Sequence, residues 1–168
     1  MSNQYTPRQS VNKAFLKIKP IRSEIERFKE SLRALLDNTS DRESEEHQKN
    51  LLTEFFKKSH FGDEYFINTK ERTDLVIHNG KSAKDPVGVM IEVKRTTNSS
   101  EMLSENNINT KALQELVLYF LRERITNRNV ELKHIIATNI KDWFIFDANV
   151  FEKSFAQDKK LLKLFEGF

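Results

Sequence analysis

Val87-Gly88-Val89-Met90-Ile91-Glu92-Val93-Lys94 is the stretch on which the fold turns. It is rich in β-branched residues and follows the turn residues Asp85-Pro86, so it reads as a strand. Alternation places Val87, Val89, Ile91 and Val93 on one face and Met90, Glu92 and Lys94 on the other. A carboxylate and an ammonium two positions apart in an apolar strand are costly to bury unless something compensates them. The preceding strand carries a second anomaly, Asp74 at the head of the apolar run Leu75-Val76-Ile77. If the two strands pair as a hairpin, Asp74 approaches Glu92 and Lys94. Two close carboxylates repel, and a hard divalent cation relieves them. Mg2+ fills its octahedral shell with one or two carboxylates, waters and substrate phosphate oxygens. The Val93 backbone carbonyl is a further candidate ligand. Such an ion polarises a phosphodiester and lowers the pKa of a bound water, while Lys94 suits the stabilisation of charge developing in the transition state. The competing account is a structural ion-pair cluster at a sheet edge.

Outward from this pair of strands, the pattern gives a mixed α/β order. Ile21, Ile25, Phe28, Leu32, Leu35 and Leu36 recur at helical spacing after Pro20, which is placed in the first turn, and predict an amphipathic helix to about Asp37. A second helix is expected over about 43–58, with Leu51, Leu52, Phe55 and Phe56 inward. Strands follow at 64–69, 73–78 and 87–94, then a polar loop, Thr96-Thr97-Asn98-Ser99-Ser100. A helix over about 110–126 carries Leu113, Leu116, Val117, Phe120 and Leu121 on its apolar side. Two more strands lie near 134–138 and 143–146, and helical segments near 150–155 and 159–165 close the chain. Helix, three strands, helix, two strands, helix implies a central mixed sheet flanked by helices. Residues 1 to about 12 read as loose. The apolar Leu161, Leu162, Leu164, Phe165 and Phe168 either fold back on the domain or suit a chain that continues, and the second is the expectation.

A chain of 168 residues holds one domain with a real core. Thirteen Phe against one Trp make Phe the main source of core volume. The formal charge is only +3, so nucleic-acid binding needs the basic residues gathered on one face. With no Cys, disulfides, thiolate metal sites and Cys nucleophiles are excluded. The four His show no metal-ligand spacing, and with four Gly no phosphate-cradling loop is present. No apolar run approaches the roughly 18 residues that span a bilayer, and the amino-terminal residues lack the apolar stretch of a secretory signal. The expectation is a cytoplasmic protein with no membrane partner.

Thr73-Asp74-Leu75-Val76-Ile77-His78, a gap, then Ile91-Glu92-Val93-Lys94-Arg95 resembles the core signature of the PD-(D/E)xK nuclease superfamily. Thr73 stands where that signature's name has Pro, a position that varies widely. The order of elements from about Glu43 to Phe146 is also similar to the superfamily's core. More narrowly, Glu43-Ser44-Glu45-Glu46-His47-Gln48-Lys49-Asn50-Leu51-Leu52 and the segment from Asn109 to Tyr119 resemble the amino-terminal nuclease domains of type IIG restriction-modification enzymes. The resemblance implies a restriction-endonuclease-like core, with residues 1–40 an amino-terminal arm and helix and 41–168 the nuclease domain, a fragment of a longer chain. It implies a magnesium-dependent endonuclease acting on double-stranded DNA, with Mn2+ able to substitute. Asp74 and Glu92, with the Val93 carbonyl, would hold the metal beside Lys94. The implied partners are duplex DNA, methyltransferase and target-recognition domains of the same parent chain, and a transient homodimer.

The superfamily also brings a helical Glu towards the metal; Glu43, Glu45 and Glu46 compete for that role, and Glu46 is the candidate. Gln114 and Tyr119 resemble the Gln and Tyr that RecB-type nucleases carry on the helix after the catalytic Lys. Their spacing is one residue too long unless Glu115, one helical turn from Tyr119, takes the first role. Thr96 to Ser100 and the basic Arg122, Arg124 and Arg128 are candidate phosphate contacts; each is equally a solvated loop or face. Two other functions stay open: a repair or recombination nuclease acting on branched or single-stranded DNA, and a DNA-binding module of the same fold without catalysis.

Overall fold

The computed structural model describes residues 5–70 and 73–167; the expectations for residues 1–4 and Phe168 lie outside them. The chain begins with a short helix α1 (Pro7–Ser10), where the sequence reads as loose. Thr6 caps it through its hydroxyl. A 3-10 turn (Phe15–Lys17) leads to α2 (Arg22–Asn38) and α3 (Glu45–Phe56). Pro20 stands outside α2, because Ile21 is the N-cap residue and its N–H is taken by the Glu24 carboxylate at 3.0 Å. Ser44 caps α3, accepting from the His47 N–H at 3.1 Å. A wider helical turn, Lys57–Phe61, prolongs α3, and the first strand starts later than the sequence suggests.

Strands β1 (Ile67–Lys70), β2 (Thr73–His78) and β3 (Val87–Val93) form an antiparallel meander. Helix α4 (Lys111–Leu121), prolonged by a wide turn over Arg122–Thr126, then crosses over to β4 (His134–Thr138). That crossover is what a parallel β3–β4 pair requires. Strand β5 (Trp143–Asp147) pairs antiparallel at the edge, so the sheet runs β1-β2-β3-β4-β5. Helix α5 (Ala148–Phe151), a wide turn over Glu152–Ala156, and α6 (Lys159–Glu166) complete the described chain. The fold is α/β, a five-stranded mixed sheet flanked by helices.

The sheet has an apolar layer on each face. Leu75, Ile77, Ile91 and Val93 pack beneath α2 and α3 with Leu35, Leu52 and Phe56. Val76, Met90, Ile135 and Ala137 pack on the opposite face with Leu116 and Phe120 of α4 and with Phe151. Strict alternation put Val87 with Ile91, and the structure corrects this. Ile77 pairs with Val89 but His78 pairs with Val87, so Gly88 is an inserted residue and Val87 joins the α4 side. A Cβ on Gly88 would collide with the Asn79 side-chain oxygen, which explains glycine there. The second half of α2 contributes Leu35 to the core, whereas Ile21, Ile25, Phe28 and Leu36 are exposed. At the other end, Leu161, Leu162 and Phe165 fold back onto the α4 layer and Leu164 stays exposed. No helix among the described residues is long and apolar enough to cross a membrane.

Candidate active site

The site forms where the start of β2 meets the end of β3. Leu75 pairs with Ile91, and one further step in that register sets Asp74 opposite Glu92. Both side chains therefore rise on the face covered by α4. Asp74 Oδ2 accepts the Val93 N–H at 2.9 Å, which fixes the carboxylate against the neighbouring strand. Lys94 follows β3 directly and is tied to β4 by its N–H, which donates to the Thr138 carbonyl at 2.9 Å. Its Nζ donates to Glu92 Oε1 and to Glu115 Oε2, both at 2.6 Å. Glu115 comes from α4, and Glu101 Oε2 lies 4.0 Å from the same ammonium. The Glu92 and Lys94 side chains are only 4% and 5% exposed, which makes the pair a desolvated charge cluster rather than a surface ion pair.

One ammonium shared by two carboxylates leaves an excess of negative charge, and burial decides where the proton sits. Burial, reinforced by the charge of Asp74, pushes the Glu92 carboxyl up to about 9 despite its bond to Lys94. Burial also opposes charge on Glu115, but its hydrogen bonds with Lys94 and Glu92 hold its pKa below the usual range. Hence the more exposed Glu115 carries the charge that neutralises Lys94, and Glu92 bears the strain. Lys94 is itself raised, its bonds to Glu115 and Glu92 outweighing the burial that opposes them. Among the described residues no donor is placed on Glu92 Oε2, which is buried. Burial and the charges of Glu92 and Glu115 push the Tyr119 phenol up to about 12, so this side chain stays a neutral O–H.

The structure brings together Asp74, Glu92, Lys94 and Glu115, with Tyr119 inside their field. It separates two other candidates from them. Gln114 is exposed and donates to Asn109 Oδ1 at 3.2 Å, because it sits about 100° around α4 from Glu115. Of the two alternatives on α4, Glu115 is the one that reaches Lys94. Glu46 is 66% exposed and engages Lys49 Nζ at 2.8 Å; its neighbour Glu45 is the glutamate that senses the site. Burial raises the Glu45 pKa, with the pull of Lys94 and the push of Asp74 acting on it next. The contact that Val93 makes here is through its N–H, not its carbonyl. Arg124 pairs with Glu152 at 2.6 Å and donates to the Asn129 carbonyl, a role internal to the fold. Thr96 is likewise engaged, its hydroxyl donating to Asp41 Oδ1 at 2.6 Å.

Two residues of α3 escaped the sequence reading. Lys49 Nζ lies 3.2 Å from Asp74 Oδ1. Gln48, fully buried, accepts the Thr96 N–H at 3.3 Å and donates to the Thr96 hydroxyl at 3.2 Å. This clamp holds α3 against the chain just beyond Lys94. Gln48→Ala removes these two bonds and a third, to the Ser40 carbonyl at 3.4 Å, and leaves a cavity in place of a fully buried side chain, so it is expected to cost about 2–3 kcal/mol in urea denaturation. The signal for both was helical spacing: Glu45, Gln48 and Leu52 form one stripe, and Lys49 flanks it.

Among the described residues, no group of three or more His, Asp or Glu side chains is placed to hold a metal ion. The β2–β3 register leaves two carboxylates, Asp74 and Glu92, as candidates for an ion, a number that Mg2+ commonly accepts. The Glu92 Oε2 left without a donor and the suppressed ionisation fit that candidacy, because the one Lys94 ammonium, shared with Glu115, does not compensate the buried carboxyl. No curated protein and no solved structure matches the chain. A family model described as a domain of unknown function, DUF7149, matches residues 5–168, and the chain belongs to that family.

Proposed function

We propose that this chain is a magnesium-dependent endonuclease domain with a restriction-endonuclease-like core, hydrolysing phosphodiester bonds of double-stranded DNA as the cleavage module of a type IIG restriction-modification enzyme. The observation that carries the reading is the β2–β3 register, which brings Asp74 opposite Glu92 and against the Val93 N–H, beside a buried lysine and with no donor among the described residues on one Glu92 oxygen. A merely structural ion-pair cluster gains nothing from a second carboxylate whose ionisation is suppressed.

Asp74 and Glu92 are the residues that would hold the ion, and Asp74 is already aimed by the Val93 N–H. A divalent ion held there would supply polarisation of a phosphate oxygen and a lowered pKa for a water molecule. Lys94, fixed between Glu92 and Glu115, presents an ammonium that is charged throughout the working pH range and stabilises negative charge developing on the phosphate oxygens. Glu115 holds that ammonium in place. Tyr119 offers a neutral hydroxyl as a further donor.

The expected result is that the protein converts supercoiled plasmid to nicked and linear forms with Mg2+ or Mn2+ and is silent with chelator. Asp74→Ala should lower the rate on the order of 10³-fold. Equal cleavage by this variant and the wild type would end the proposal; preference for flaps or single strands over plain duplex would move it to repair or recombination.

A further inference from the structure

Both oxygens of Asp74 are committed. Oδ2 takes the Val93 N–H at 2.9 Å, and Oδ1 takes the Lys49 ammonium at 3.2 Å. Lys49 has a second anchor, Glu46, one turn earlier on the same helix, at 2.8 Å. The two anchors differ: the Asp74 side chain is 12% exposed and Glu46 is 66% exposed. Helix α3 itself is pinned to the residue after Arg95 by the buried Gln48. Any change in how Lys49 divides itself between Asp74 and Glu46 is thus a movement of its side chain alone.

We infer that Lys49 is a tethered competitor for the divalent ion at Asp74: it neutralises that carboxylate until the ion binds, then withdraws onto Glu46. A divalent ion and an ammonium on one carboxylate oxygen repel strongly in a partly desolvated site. The withdrawal leaves no charge unpaired, since Glu46 is already in contact. Lys49 is here a positioning residue, acting on the ion through Asp74, and Glu46 acts only through Lys49. This inference rests on the metal-dependent reading of the same site and deepens it by assigning what sets the ion affinity.

The test is Mn2+ titration by calorimetry, without DNA, on wild type, Lys49→Met, Glu46→Gln, the double variant and Asp74→Ala. Lys49→Met is expected to tighten Mn2+ binding about tenfold, the scale at which neighbours of metal ligands act. Lys49→Gln serves as a second neutral replacement and should behave alike. Glu46→Gln should weaken binding several-fold in the wild-type background, because displaced Lys49 loses its refuge, and should change nothing once Lys49 is Met. Unchanged or weaker binding by both neutral Lys49 variants overturns the inference. So does an equal effect of Glu46→Gln in both backgrounds, which would mark Glu46 as a direct charge on the ion. Loss of binding in Asp74→Ala alongside either of those results leaves the site's function standing. Absence of Mn2+ binding by the wild type overturns both.

Discussion

Glu92→Gln is expected to yield a protein that is more stable than the wild type and inactive. The sign follows from the direction of the shift. Glu92 has its folded-state pKa raised from 4.5 to about 9, by burial first and by the charge of Asp74 second. A raised carboxyl favours the folded state below its unfolded pKa, and that advantage is lost as pH climbs through the interval from 4.5 towards 9. Wild-type stability should fall with rising pH across that window. Gln keeps an oxygen for Lys94 but cannot ionise, so it removes this dependence. At pH 8 the gain should be on the order of 2–4 kcal/mol, shrinking towards zero near pH 4. Urea denaturation at several pH values measures it. Cleavage should fall on the order of 10³-fold, since an amide is a poor ligand for a hard cation and holds no counter-charge. A functional carboxylate kept at a cost in stability is the trade-off expected of an active site. Glu92→Gln that loses stability at pH 8 would mean that Glu92 is a structural partner of Lys94.

Removing the lysine should act in the opposite direction. Lys94→Ala leaves Glu92, Glu115 and the nearby Glu101 facing one another without their shared cation. Stranding buried charge in this way costs about 3–5 kcal/mol. As pH rises towards the value of about 9 that Glu92 reaches, repulsion between ionising Glu92 and Glu115 adds to that cost, so Lys94→Ala made in the Glu92→Gln background should lose less there. The expected coupling between the two sites is about 1–3 kcal/mol. Additive losses would show that Lys94 and Glu92 do not share a charge balance. The double variant also separates stability from catalysis: it should fold well and remain inactive.

The strands that carry the site were legible because a sheet imposes a period of two. Glu92 in β3 and Lys94 directly after it share a parity in the sequence, and Asp74 breaks the apolar run of β2, so charge stood out against its surroundings. The β2 and β4 boundaries follow the β-branched runs from Thr73 to His78 and from His134 to Thr138. The misreadings belong to features with no period. A single inserted residue, Gly88, moved Val87 to the opposite face. The wide helical turns after α3, α4 and α5 continue those helices without a sequence period of their own.

On helices the difficulty was rotation. In Glu43 to Glu46 several carboxylates look alike in sequence, and the burial of Gln48 and Leu52 decides that Glu45 turns inward while Glu46 turns to solvent. The same 100° step separates Glu115 from Gln114 on α4, where Leu116 and Phe120 fix the buried stripe. Lys49 was invisible for a further reason. A lysine on an amphipathic helix reads as a solvated side chain, and only its approach to Asp74, 25 residues away in sequence, gives it a role.

The most direct measurement of the central claim is anomalous diffraction from crystals soaked in Mn2+. The ion should appear between Asp74 and Glu92, about 2.0–2.2 Å from an oxygen of each, with Lys94 still held by Glu115. Strong density elsewhere, or none at millimolar Mn2+ while Lys49 and Lys94 keep their carboxylates, would contradict a metal-dependent nuclease at this site.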